Sequence, residues 1–143
     1  MENVYVVYWS QTGNTKEMAE AVGRGIESAG KKAKVLEVGE TSAEELKNAK
    51  AFALGCPAMG AEVLEEMEME PFVEEVEGFA SGKTVLLFGS YGWGDGQWMR
   101  DWEERMSGAG ADVLNGEGFI CQELPDETAV KECESLGSQL AQI

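Results

Sequence analysis

Apolar residues follow two alternating spacings along the chain. Val4, Tyr5, Val6, Val7, Tyr8 and Trp9 form an unbroken apolar and β-branched run, the pattern of a strand covered on both faces. Directly after it, Met18, Ala19, Val22, Ile26 and Ala29 recur at helical spacing and predict a helix with one apolar face, stopped by Gly30. Residues 33–38 alternate as a strand near a sheet edge does. Thr41 or Ser42 can cap a short helix through Ala43, Glu44, Glu45 and Leu46, with Glu45 in capping-box position after Ser42. Residues 51–56 and 84–89 are again continuous apolar runs and predict two further buried strands. Between them, from about Glu70 or Pro71, Phe72, Val73, Val76 and Phe79 turn one helix face inward. Trp98, Trp102, Met106 and Ala109 mark the next helix, and Val130, Cys133, Leu136 and Leu140 a terminal one from near Asp126. A last strand spans 111–114 and 118–121, broken or bulged near Gly116.

Five strands alternating with five helices predict one α/β domain over residues 1–143, a doubly wound open sheet of five parallel strands with helices on both faces. In such sheets a ligand binds beyond the carboxyl ends of the strands, where the strand order reverses. The loops at those ends are residues 10–15, 57–64, 90–97 and 121–126.

Charge and composition remove whole classes of function. A net charge of −16 repels nucleic acid and anionic lipid and favours a basic protein partner. No histidine is present, so Ser-His-Asp and Cys-His catalysis and zinc-type metal spacing are absent. Cys56, Cys121 and Cys133 form no CxxC pair and are expected to be buried, reduced thiols. No apolar stretch approaches the roughly 20 residues of a membrane span, and the start of the chain lacks signal-peptide character. A cytoplasmic location is therefore expected.

Three of the four loops are unusual. Ser10, Gln11, Thr12, Gly13, Asn14 and Thr15 lie between the first strand and its helix, where unpaired N–H groups and the helix dipole favour an anion such as phosphate. The hydroxyls of Ser10, Thr12 and Thr15 add donors, and no Lys or Arg lies within the loop. The order of residues after Gly13 does not match a P-loop, and a single glycine does not make a dinucleotide fingerprint. In the second loop, Pro57, Ala58, Met59, Gly60, Ala61 and Glu62, Met59 offers a polarizable contact to an aromatic ring. Gly60 lets the peptide joining it to Ala61 turn over at low cost. The third loop, Ser90, Tyr91, Gly92, Trp93, Gly94 and Asp95, sets a tryptophan between glycines. Together these features describe a site for a flat aromatic phosphate.

Ser10 to Thr15, Cys56 to Glu62 and Phe88 to Gly94 resemble, in combination, the flavodoxins, specifically the short-chain type of anaerobic, clostridial bacteria, over essentially the whole length. The resemblance implies strand order 2-1-3-4-5 and a non-covalently bound FMN. Its phosphate would be held by the first loop, with Met59 on the inner face of the ring and Trp93 on the outer. Glu62 would accept from flavin N3–H, and backbone from Gly92 onward would meet the pyrimidine edge. Pro57 stands where some relatives carry Ser, and Ala61 where many carry a polar residue. The implied function is a low-potential one-electron carrier shuttling between semiquinone and hydroquinone, not an enzyme. It would be a monomer that meets the basic faces of redox enzymes such as ferredoxin-type oxidoreductases. The alternative is an FMN-dependent NAD(P)H or quinone reductase on the same fold, for which a capping tryptophan leaves little room over the ring. A receiver-type signalling module needs carboxylates where Tyr8, Trp9 and Ser10 stand, and a phosphorylatable Asp near Cys56 and Pro57.

Overall fold

The computed structural model describes residues 2–143. Its elements are β1 (Asn3–Tyr8), α1 (Asn14–Ser28), β2 (Lys32–Glu37), β3 (Ala51–Gly55), α2 (Met69–Glu77), β4 (Thr84–Tyr91), α3 (Gln97–Gly108), β5 (Asp112–Val113), β6 (Phe119–Gln122) and α4 (Glu127–Ala141). The sheet is parallel with order β2-β1-β3-β4-β5, and β6 also pairs with β4. β5 meets Thr84 and Val85 at the start of β4, whereas β6 meets Phe88 to Tyr91 at its end. The two are therefore halves of one edge strand. Asn115 (φ 63°) and Gly116 (φ 79°) turn the chain out between them, the break expected near Gly116.

Side-chain alternation on the central strands feeds a core on each face of the sheet. Phe52, Leu54, Val85 and Leu87 pack toward α2 and α3, where Phe72, Val76, Trp98 and Trp102 close the layer. Ala53, Leu86 and Phe88 point the other way, onto Met18, Val22 and Ile26 of α1 and Leu136 and Leu140 of α4. Lys32 and Lys34 on the edge strand β2 discourage pairing with another chain. α1 and α4 touch backbone to backbone. A Cβ on Gly25 would run into the Glu134 carbonyl, and one on Gly137 into the Val22 carbonyl.

Several local expectations change. The described residues hold four α-helices rather than five, because Ala43–Leu46 is a 3-10 turn. Four residues make little more than one turn, and burying Ala43 and Leu46 is enough to hold them without a helix. The Ser42 side chain caps nothing. The reciprocal box forms one turn earlier, between Glu37 and Glu40, with the Glu37 N–H donating to Glu40 Oε1 at 2.8 Å. Val38 accordingly leaves β2 and begins a 3-10 turn. α2 starts at Met69, Phe79 and Ala109 lie past the ends of their helices, and Ala29 is exposed at the end of α1. Asp126 caps α4 as its position predicts, its carboxylate accepting from the Ala129 N–H at 2.8 Å.

Substituting Gly137→Ala should force α1 and α4 apart and lower stability by about 1–3 kcal/mol, the usual cost of overpacking. A urea titration followed by circular dichroism reads this as a lower midpoint. An unchanged midpoint would show that the helix contact is not limiting.

Candidate functional site

At the start of α1, Gly13 adopts φ 98°, a left-handed conformation that turns the loop back on itself. Ser10 Oγ accepts the N–H groups of Gly13 (3.2 Å) and Lys16 (3.3 Å), and Thr12 Oγ1 accepts that of Asn14 (3.4 Å). Among the described residues, no protein acceptor meets the N–H groups of Gln11, Thr12 or Thr15. These open donors stand at the positive end of the helix dipole. The Thr15 side chain is buried and tied to β4. Its Oγ1 lies 2.9 Å from Ser90 Oγ and accepts the Ser90 N–H at 3.3 Å.

β3 leaves the sheet at Cys56, whose N–H donates to the Phe88 carbonyl at 3.1 Å, and Ala58 N–H follows to the Ser90 carbonyl at 3.0 Å. The chain then makes a tight turn, with Met59 N–H on the Val63 carbonyl (3.0 Å) and Glu62 N–H on the Met59 carbonyl (2.8 Å). Glu62 takes φ 53°, a left-handed conformation that a glutamate rarely adopts. Its Oε1 is buried with no hydrogen-bond partner among the described residues. Gly60 lies at the exposed tip, and a Cβ there would meet nothing within 4 Å. Its value is therefore freedom of the backbone, not room.

Glu65, which sequence reasoning missed, anchors the far end of this segment. Its Oε1 accepts from the N–H groups of Glu68 (2.7 Å) and Met69 (2.9 Å), its Oε2 from that of Met67 (2.7 Å). Its own N–H reaches Cys56 Sγ at 3.4 Å. Burial opposes ionisation of this carboxyl, which is only 6 % exposed, but the N–H groups of Met69, Glu68 and Met67 outweigh it. The carboxyl is held below the ordinary carboxylate range. Burial pushes the Cys56 thiol up to about 12.

The third loop leaves β4 at Tyr91 and enters α3 through Gly94 (φ 89°) and Gly96 (φ 92°). Arg100 holds it from below by an ion pair with Asp95 at 3.0 Å. After β6, Gln122 Nε2 donates to the Gly92 carbonyl at 3.3 Å, and Glu123, at φ 59°, donates its N–H to the Tyr91 carbonyl at 2.8 Å.

All four loops converge on one cleft of about 500 Å³. Gln11, Thr12 and Asn14 line it from the first loop, Pro57, Ala58, Met59 and Gly60 from the second, and Ser90, Tyr91 and Gly92 from the third. Ser10, Gly13 and Thr15 shape the first loop without forming the wall, as Ala61, Glu62, Gly94 and Asp95 do at the rim. Trp93 stands outside the wall and is 64 % exposed; Tyr91 is the aromatic that faces the cleft. Glu123 and Leu124 complete the lining and were not among the expected site residues. The signal for them was present in the position of residues 121–126 at a strand's carboxyl end, next to a single apolar residue among acids.

Comparison with known proteins places the chain in a family. The flavodoxin family profile matches residues 6–137. The chain belongs to the flavodoxin family. It is 51% identical over 138 residues to the flavodoxin of Clostridium beijerinckii, covering 96% of this chain and 99% of that one. The flavodoxin of Megasphaera elsdenii is 40% identical over 138 residues, covering 96% and 98%. The solution structure of the two-electron reduced Megasphaera elsdenii flavodoxin superposes with a TM-score of 0.86 at 38% identity, covering 98% of this chain and 99% of that one. An archaeal flavodoxin gives 0.87 at 33% identity, covering 98% and 96%. The short-chain clostridial resemblance and the sheet order it implies both stand. As a family member the chain is an electron-transfer flavoprotein rather than an enzyme, and it acts with redox partners. Among the described residues no helix is long and apolar enough to cross a membrane.

Because the Glu65 carboxyl titrates below its unfolded value, it stabilises the fold above the ordinary carboxylate range, and that gain is lost as pH falls through its native pKa. Glu65→Gln sets an amide NH₂ against a backbone N–H and should cost about 1–3 kcal/mol at pH 7. Urea midpoints of the two proteins should converge as the pH falls below the ordinary carboxylate range; a gap independent of pH would refute this assignment.

Proposed function

We propose that the cleft binds FMN non-covalently and that the chain is a low-potential one-electron carrier. The observation that carries this reading is the presence of two unlike features on one rim. The start of α1 offers open N–H groups, and Glu62 offers a buried carboxylate oxygen with no partner. An anion suits the first. Only an N–H or O–H donor suits the second, since a buried acceptor left unpaired is costly. FMN has both complements, in its phosphate and in the imide N3–H of its ring.

Ser10 and Thr12 hold the loop in shape, so that the N–H groups of Gln11, Thr12 and Thr15 stay free for phosphate. Between the two ends, the Met59 sulfur and the Tyr91 ring offer polarizable and aromatic surface to a flat ring. Trp93, exposed at the rim, is the residue the resemblance assigns to the outer face. Pro57 stands in the lining without a side-chain donor, which leaves the phosphate to the groups of the first loop.

When bound, FMN supplies the redox chemistry, taking electrons singly and working between semiquinone and hydroquinone. The chain biases both steps. A turn of the Gly60–Ala61 peptide would let the Gly60 carbonyl accept a hydrogen bond from the bound ring, and the open space around Gly60 supports that freedom. The second electron adds negative charge against a surface that already carries −16, which lowers its potential.

Five of the eight lysines, Lys31, Lys32, Lys47, Lys50 and Lys83, stand at the amino ends of the strands, whereas the loops at the carboxyl ends carry Glu62, Glu66, Asp95 and Glu123. This polarity presents the cleft to the basic face of a redox partner through steered, salt-sensitive encounters. On this reading residues 1–143 act as a single FMN-binding domain, monomeric and cytoplasmic.

Titrating the cofactor-free chain with FMN should give a yellow complex of equal stoichiometry, and riboflavin, lacking the phosphate, should bind more weakly. A chain that stays colourless would overturn the reading. Gly60→Ala should lower the potential of the first electron by roughly 45–65 mV, the equivalent of about 1–1.5 kcal/mol of hydrogen bonding. A potentiometric titration with spectral monitoring checks this, and an unchanged value would remove the peptide turn from the mechanism.

A further inference from the structure

Two loops meet at Glu62. The glutamate is held in a left-handed conformation at φ 53°, and one oxygen of its carboxylate is buried without a protein partner. The backbone of Gly94, itself at φ 89°, lies against that carboxylate. A Cβ on Gly94 would overlap Glu62 Oε1 and lie 2.7 Å from its Cδ. A side chain there is thus refused twice, by the backbone conformation and by the carboxylate.

A strained residue whose acceptor is stripped of water by the opposite loop is an arrangement that a ligand donor completes. We propose that Gly94 is the specificity-determining residue for the imide edge of the ligand: by closing its bare backbone onto Glu62, it leaves one desolvated carboxylate oxygen that only a ligand N–H can satisfy. This inference rests on the FMN reading above and adds to it the device that makes Glu62 discriminate. Were the third loop to carry a side chain at this position, the carboxylate would swing toward solvent. Water would then serve as its partner, and a ligand N–H would gain little by replacing it. Gly94 acts through Glu62 and is a positioning residue in that sense.

The test compares FMN with its N3-methyl analogue, which lacks the donor, by equilibrium titration of the cofactor-free chain. The wild-type chain should favour FMN by about tenfold or more, the worth of one hydrogen bond to a charged acceptor. In Gly94→Ala that ratio should collapse toward one, because FMN binding weakens while analogue binding stays as it was. Gly96→Ala, also at positive φ in the same loop but facing the far ends of the Ile120 and Arg100 side chains and not Glu62, should keep the wild-type ratio and so controls for backbone strain. In a Glu62→Ala background, Gly94→Ala should cost no further FMN affinity, since no carboxylate remains to be displaced. A wild-type ratio in Gly94→Ala, additive losses in the double variant, or a collapse in Gly96→Ala would each overturn the inference. So would a wild-type chain that binds both ligands equally, which leaves the FMN reading intact. A wild-type chain that takes up no FMN overturns both.

Discussion

The peptide at Cys56, where β3 leaves the sheet, is gripped from four sides, and the walls of the cleft hang from it. Its N–H is held by the Phe88 carbonyl at 3.1 Å, and its carbonyl accepts Trp98 Nε1, also at 3.1 Å. Its sulfur receives the Glu65 N–H at 3.4 Å. Gly89 lies against the same carbonyl so closely that a Cβ would collide with it, and Gly55 gives way in the same manner to the Phe88 ring. β3 and β4 are thereby locked in register at the point where both turn into loops. The Met59 turn departs from one side of this lock and the Tyr91 loop from the other. The distance between the two walls is therefore fixed by the sheet, not by the loops themselves.

The same logic extends to the first and fourth loops. Thr15 and Ser90, both buried, tie the start of α1 to the end of β4. Glu123 and Gln122 tie β6 to the Tyr91–Gly92 backbone. Each loop carries at least one contact to its neighbour at the base and stays free at the tip, where Gly60, Trp93 and Leu124 are exposed. A base tied by hydrogen bonds beneath exposed tips suits the ligand proposed for this cleft.

Much of this was legible in the chain because strand burial and helix faces leave a direct periodic trace. The unbroken runs at 4–9, 51–56 and 84–89 became the three central strands, and the glycines and hydroxyls between them became the rim. What stayed hidden depends on partners distant in the chain. Ser42 with Glu45 and Glu37 with Glu40 fit the idea of a reciprocal cap, and only the path of β2 decides in favour of the second. Glu65 is one acid among many until the chain folds back and delivers three N–H groups to it. Glu123 and Leu124 enter the cleft only because the broken edge strand aligns its second half with the end of β4. The strain at Glu62 leaves no trace in residue type at all, since a left-handed backbone is seldom assigned to glutamate.

An electron-transfer protein with a sulfur atom beside its cleft must keep that atom out of the exchange. Cys56 sits at the foot of the cleft, yet its burial holds it as a neutral thiol across the whole physiological range, and Cys133 is likewise pushed up to about 12. A thiol that cannot ionise is a poor nucleophile and a slow target for oxidants. The sulfur at the foot of the cleft is thus an architectural brace, and the more accessible Cys121 is the thiol that an oxidant in solution meets first.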